Sequence, residues 1–189
     1  AMIGQNIILL RKSPVENRIT SISQVSDVEL KRQFPNKVVV SVEERKADAV
    51  IAYDEKWFLA QIDGFVFHEL CSPKNGLPVI NLNENTQLKP GRKLNSSEAL
   101  YALEVLECAK REKLSLSKIS VDPRGDMCLN MHSGFYVKLG PPDDIARKMS
   151  ILRSALVSKP AIAEEAAYID LSCPSAPVWM PKKALREAS

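Results

Sequence analysis

The sequence is poor in the residues that most often build metal and redox centres. Its 189 residues include two histidines, His68 and His132, and four scattered cysteines with no C-x-x-C pair. Two histidines are too few for a histidine-rich metal site, and the cysteine spacing argues against zinc and thioredoxin-like chemistry. We therefore expect no metal and no cofactor. Single buried thiols are the favoured interpretation of the cysteines, although their even number permits two disulfides.

Long apolar runs and a strong charge of one sign are also missing. No run approaches the roughly 18 apolar residues of a membrane-spanning helix, and Ile7 to Leu10 is too short for a signal peptide. The net charge is +3 with both signs interspersed, so we expect no nucleic acid as a partner. The apolar fraction of 45% excludes a disordered chain, and the length fits one large domain or two small ones.

No group of side chains predicts an enzyme. Cys128 and His132 lie four residues apart on a predicted strand, which places them about 13 Å apart, too far for a nucleophile and its base. The acidic residues of Asp122–Asp126 and Asp143–Asp144 fit a turn and a helix N-terminus better than a metal site. We expect no hydrolase or transferase activity.

The periodicity of the sequence predicts an α+β fold. Ser13 as cap, Pro14 at the first helical position and Glu16 predict a helix that ends near Ser23. Further strands, loops and helices follow in alternation. In chain order the predicted elements are strands around 28–34, 38–42, 49–53, 58–62 and 65–67, a mostly loop segment 71–95 with a short strand at 79–80, a helix 95–113 capped by Asn95, strands 119–121, 127–131 and 135–139, a helix from 143 to Pro160, and a closing strand.

The closing segment from Tyr168 to Val178 carries the strongest functional signal. It alternates apolar and polar residues up to a proline, which is typical of a strand at the edge of a sheet. An open edge offers unpaired backbone groups to a partner strand. Trp179 has two interpretations: it folds back over the core, or it is an exposed anchor for a partner.

An ordered set of segments resembles the extracytoplasmic part of the bacterial cell-division family FtsQ/DivIB. The resemblance begins at Gly4-Gln5-Asn6-Ile7 and covers nearly the whole chain in the family's order. The further segments that carry it are Val15-Glu16, Phe34–Val38, Val42–Ala47, Leu59–Phe67, Leu77–Ile80, Gly134–Gly140, Lys148–Leu156 and Tyr168–Leu171.

The resemblance implies a fold, a function and a location. The expected architecture is a partial POTRA-like α-β-β unit at 1–50, a mostly antiparallel β-domain with two packed helices at 51–181, and a polar tail at 182–189. The implied function is a non-enzymatic scaffold that binds bitopic division proteins resembling FtsB and FtsL, with other divisome components as further partners. It would act on the extracytoplasmic side of the cytoplasmic membrane at the septum and help control septal peptidoglycan synthesis. The alternative is a POTRA-type module of envelope transport or outer-membrane assembly.

The resemblance also implies a partner-binding surface. A basic helix face at Arg147, Lys148 and Arg153 is either a solvated surface or a docking surface for an acidic partner peptide beside the last strand. The residues implied in partner binding are Tyr168, Asp170, Ser172, Cys173, Ser175, Val178, Trp179, Arg147 and Arg153.

Some parts of the family pattern are not found in this sequence. Its cytoplasmic tail, membrane helix, first POTRA strand and first POTRA helix are absent, and Ser172-Cys173-Pro174 stands where relatives often carry Arg and an aromatic residue. We expect a membrane anchor outside this sequence. Without the first strand, residues 28–42 would expose an edge, so we expect residues 1–55 to self-associate or to be the most mobile part of the chain.

Overall fold

The chain forms a small helix–hairpin unit followed by a ten-stranded sheet. The structure is a computed structural model, and it describes residues 10–83, 88–122 and 124–187. The Gly4–Ile7 motif, the Ile7–Leu9 part of the apolar run and the last two residues of the polar tail lie outside the described residues.

The N-terminal unit consists of α1 (Lys12–Thr20), β1 (Val25–Gln33) and β2 (Lys37–Glu44). The two strands pair antiparallel from Gln33 opposite Lys37 onward, so the chain turns at Pro35-Asn36 between the two predicted strands. Leu30 is almost fully buried in this unit, together with Leu10 and Val25.

The start of α1 differs from the prediction. Arg11 stands at the cap position, and Ser13 lies inside the first turn without capping the helix. The Glu16 carboxylate does not close a capping box, because it accepts a hydrogen bond from the backbone N–H of Leu30 at 3.2 Å. Glu16 therefore ties the helix to the hairpin. The helix ends at Thr20 rather than near Ser23.

The large sheet is mixed but mostly antiparallel. Three neighbouring pairs are parallel, β3/β6, β6/β8 and β10/β11, and the others are antiparallel. Its strands are β3 (Ala49–Tyr53), β4 (Lys56–Ala60), β5 (Phe65–Leu70), β6 (Val79–Asn81), β7 (Arg92–Lys93), β8 (Leu116–Val121), β9 (Met127–Met131), β10 (Tyr136–Gly140), β11 (Ala166–Asp170) and β12 (Val178–Pro181). Their spatial order is β12-β11-β10-β9-β8-β6-β3-β4-β5-β7.

Helices α2 (Ser97–Arg111) and α3 (Ile145–Ser158) cover one face of this sheet. The main core lies between them and the strand residues on that face, such as Ile119 and Val137. Because side chains alternate along a strand, Val50, Leu59 and Phe67 point to the other face, where they form a second, smaller cluster. We call that other side the open face.

The cap of α2 differs from the prediction, and two short helices complete the fold. The cap of α2 is Ser96, whose hydroxyl accepts from the Ala99 N–H at 3.2 Å, and not Asn95 as the sequence suggested. Two short helices, α4 (Ile162–Glu165) and α5 (Lys182–Glu187), flank the closing hairpin. Within the described residues, no helix has the length and apolarity needed to cross a membrane.

Candidate partner-binding edge

The closing segment is a hairpin, so the prediction of one edge strand from Tyr168 to Val178 is wrong. Tyr168 and Asp170 lie in β11, which is held between β10 on one side and β12 on the other. The chain turns between them because Pro174 and Pro177 cannot donate backbone hydrogen bonds to a ladder. The Asp170 carboxylate also accepts the Ser172 N–H at 3.0 Å, which starts the turn. The outermost strand at this end of the sheet is β12, and β7 is outermost at the other end.

Strand β12 has one bonded side and one side with no neighbouring strand among the described residues. Its Trp179 stands opposite Ile169 of β11, and Met180 stands opposite Tyr168. The strand has only four residues and ends at Pro181, and shortness and proline both limit indiscriminate pairing of an edge. The free side of β12 is the candidate binding edge.

Trp179 points to the helix-covered face and is half-buried. Its ring packs against the main core, as one of the two sequence interpretations expected. The Lys159 ammonium lies 4.5 Å from the ring centroid, which is the distance of a cation–π contact. On the helix-covered face, the edge is therefore flanked by the Trp179 indole and the Lys159 ammonium above it. We call this the helix-side flank.

The open-face flank of the same edge is apolar and aromatic. Val178 is 58% exposed there, and Met180 lies beside Tyr168. Tyr168 stacks on Tyr136 of β10 with ring centroids 5.3 Å apart. Lys138 places its ammonium 4.5 Å from the Tyr168 ring. Sequence reasoning missed Tyr136 and Lys138, because the parallel pairing of β10 with β11 joins segments about 30 residues apart, which no local pattern reveals.

The turn between β11 and β12 exposes three of the sequence-predicted residues, Ser172, Cys173 and Ser175. The Cys173 sulfur lies 3.1 Å from the Ser175 hydroxyl oxygen, and this hydrogen bond lowers the pKa of the Cys173 thiol below its ordinary value. All four cysteines of the chain are free. The structure thus brings these three residues to one end of the hairpin, next to the edge rather than along it.

The predicted basic face of α3 does not form. Lys148 is 0% exposed, because its ammonium turns inward to donate to the Pro141 carbonyl at 2.8 Å and to the Asp143 carboxylate. Arg147 and Arg153 are exposed, but six residues in a helix of 3.6 residues per turn leave them about 120° apart around the axis. The cation found over β12 is Lys159 instead, just beyond the end of α3.

The Cys128 and His132 pair has no catalytic geometry. Cys128 lies in β9, where burial raises the pKa of its thiol and favours the neutral form. His132 follows the strand in a turn, with its Nδ1 atom 3.4 Å from the Ser115 hydroxyl oxygen. Over residues 10–83, 88–122 and 124–187, no group of three or more His, Cys, Asp or Glu side chains could hold a metal ion.

Comparison with known proteins gives two family matches. The family described as POTRA domain, FtsQ-type, matches residues 1–45. The family described as cell division protein FtsQ/DivIB, C-terminal, matches residues 49–172, which is well over half of the chain. Strand β12 lies just beyond that second match.

Individual relatives agree with the family matches. The chain is 22% identical over 193 residues to a cell division protein DivIB of Clostridium tetani, with 92% of this chain and 68% of the relative covered. It is 25% identical over 181 residues to a cell division protein DivIB of Clostridium acetobutylicum, with 93% and 72% covered. It is 24% identical over 166 residues to a cell division protein FtsQ of Streptomyces bingchenggensis, with 86% and 61% covered.

Proposed function

This chain belongs to the FtsQ/DivIB family of cell-division proteins, and on that premise we propose that it is a scaffold that binds other division proteins at the septum. The family is one of non-enzymatic division proteins, which agrees with the sequence-based expectation of no activity. The single observation that supports a binding role is the unpaired side of β12. Its backbone groups are available for a partner strand.

The mode of binding in this proposal is β-strand addition. A partner strand bonded to β12 gains affinity from backbone hydrogen bonds. Its side chains alternate between the two faces of the sheet, so they contact the helix-side flank and the open-face flank of the edge in turn. Partner side chains on the helix-covered face would contact Trp179 and Lys159, and the Lys159 cation favours an acidic residue of the partner there. Side chains on the open face meet Val178, Met180 and Tyr168, which favours apolar or aromatic residues.

The partners in this proposal are bitopic division proteins resembling FtsB and FtsL. The protein would act outside the cytoplasmic membrane, anchored by a helix that lies outside this sequence, and would help control septal peptidoglycan synthesis. The alternative, a POTRA-type module of envelope transport, draws support only from the POTRA match at residues 1–45 and leaves the C-terminal match unexplained.

Calorimetry with a purified partner tests the proposal. The titrant is the extracytoplasmic segment of the FtsB-like protein from the same genome, alone and joined to its FtsL-like partner. We expect saturable binding that is lost when residues 178–187 are deleted, with the circular dichroism of the rest of the sheet retained. Binding that is absent in the full chain, or equal in the deleted chain, contradicts the proposal.

A further inference from the structure

A cleft at the joint between the two structural units is a second site that the proposed edge does not use. The units are connected by the residues between Glu44 and Ala49, and the Arg45 side chain contacts both units. Its guanidinium donates to the Ser23 carbonyl at 3.1 Å and to the Gln61 side chain at 2.7 Å, and lies 4.3 Å from the Phe65 ring centroid. Arg45 is therefore held in one position by both units.

The cleft lies beside Arg45 on the open face of the sheet and has a volume of about 360 Å³. Its floor is apolar, formed by Ala47, Leu59 and Leu77 of the second, smaller cluster. Lys74, Asn75 and Gly76 of the loop between β5 and β6 form one wall, and Arg45 and Lys46 form the other. The space has the size of a small ligand pocket and would hold a few side chains of a peptide.

The charges around this cleft have one sign. Arg45, Lys46 and Lys74 are cationic, and no aspartate or glutamate is among the residues that line it. Three cations at one opening attract an anion such as a carboxylate, and Arg45 adds its fixed positive charge there. Leu59 is only 7% exposed, so the floor can be contacted only by a group that enters the cleft.

We propose that this cleft binds an acidic peptide segment of a second protein partner, with a carboxylate held by Arg45, Lys46 and Lys74 and an adjacent apolar side chain on Leu59 and Leu77. The apolar floor favours a peptide over a membrane surface, because anionic lipid headgroups are bound by cations spread on an exposed face and need no enclosed apolar floor.

The cleft is far from the edge at β12. Strand β4, which carries Leu59, is the seventh neighbour of β12 in the sheet. At about 4.8 Å per strand, the two sites are about 34 Å apart. A ligand in the cleft and a strand on β12 can therefore be bound at the same time, and the two sites can be tested separately.

A synthetic peptide tests the cleft in the full 189-residue chain. The probe is a fluorescein-labelled acetyl-Glu-Leu-Glu-Leu-Glu-amide, and its matched control has Gln in place of each Glu. We expect the acidic probe to bind with an affinity that falls as salt is raised, and to shift the backbone amide NMR signals of Lys46, Ala47, Gly76 and Leu77. The Gln control should bind at least tenfold more weakly.

Two variants make the test specific. Lys46→Gln with Lys74→Gln should weaken binding of the acidic probe at least tenfold, and Leu77→Ser should weaken it about threefold. Lys37→Gln with Lys89→Gln, which removes the same charge from exposed sites elsewhere, should leave the affinity unchanged.

Three results would overturn the proposal. The first is an equal loss of affinity for the acidic probe in the two double-lysine variants. The second is a set of NMR shifts confined to residues outside the cleft. The third is the absence of probe binding together with cosedimentation of the chain with phosphatidylglycerol vesicles that requires Lys46 and Lys74. The last result would assign the lysines to an anionic membrane surface.

Discussion

Strands β2 and β12 each lack a neighbouring strand on one side within the described residues, and they differ in length, composition and protection. Strand β2 has eight residues, with Val39, Val40 and Val42 all 38% exposed or more. Strand β12 has four residues, ends at Pro181, and is flanked by Trp179 and Lys159. A long apolar edge pairs with almost any strand, whereas a short edge with distinct flanks selects its partner. We therefore predict that β12 selects the partner and that β2 supports self-association.

The largest effect is expected from removing the selective edge. Deletion of residues 178–187 should abolish binding of the FtsB-like segment in calorimetry, because the strand that accepts the partner is gone. A deletion confined to residues 182–187 is the control, since it removes α5 and keeps β12. Retained binding in the longer deletion would move the site away from β12.

A core substitution in the N-terminal unit tests whether the stability of that unit affects partner binding at β12. Leu30 is 1% exposed, so Leu30→Ala should destabilise the N-terminal unit by about 3 kcal/mol. Faster hydrogen exchange in β1 and β2 is the measurement. Partner binding at β12 should keep its affinity, and a matching loss of affinity would show that the hairpin belongs to the binding site.

The indole at the edge should contribute a large share of the partner affinity. Trp179→Ala should weaken binding by about 2 kcal/mol if the ring is a hot spot. Trp179→Phe is the conservative control and should recover part of this loss. Because the ring also packs on the main core, the melting temperature of each variant must be measured beside its affinity. Unchanged affinity in Trp179→Ala would remove the residue from the site.

A charge on the apolar edge should suppress self-association. Val40→Lys places an exposed ammonium in the middle of β2, where it opposes strand pairing between copies. Light scattering at high concentration should show association of the parent chain and a monomer for the variant. Asn130→Lys, on an exposed residue of the large sheet, raises the net charge by the same amount and is the control. A parent chain that is strictly monomeric contradicts the assignment.

The smallest effect is expected at the hairpin between β4 and β5. Asp63 accepts the Phe65 N–H at 3.0 Å and pairs with Lys93 at 2.7 Å, and its hydrogen bond with Lys93 lowers the pKa of Asp63. A lowered pKa gives stability above the ordinary carboxyl pKa that is lost as pH falls through the folded value. Since both side chains are more than half exposed, Asp63→Asn should cost no more than about 0.5 kcal/mol in urea unfolding at pH 7, and less at pH 3.

Local patterns predicted most elements but not their arrangement. The strands at 49–53 and 127–131 match their predicted bounds, because alternation and turn residues are local signals. The stacked Tyr136 and Tyr168 could not be predicted, since they depend on a contact between distant segments. The inward turn of Lys148 toward Pro141 and Asp143 is a local contact, but helical periodicity alone does not reveal it. The domain boundary near residue 50 stays a prediction, while β2 ends at Glu44 and β3 begins at Ala49.

The closing hairpin shows the same division between local and distant signals. The prolines and the polar alternation correctly indicated a strand near the edge of a sheet. They did not indicate that the chain would return as β12 and cover the outer side of β11, because that pairing depends on the register of Met180 with Tyr168. The partner-binding residues named from the sequence therefore remain a proposal, and of these only Val178 and Trp179 lie on the edge strand β12.

Amide hydrogen exchange of the full chain, with and without the FtsB-like segment, tests the central claim most directly. If a partner strand adds to β12, the exchange of Trp179 or Met180 should slow at least tenfold on binding, while Val40 and Val42 of β2 keep their rates. Slowed exchange in β2 with β12 unchanged would contradict the claim and assign the partner to the hairpin unit instead.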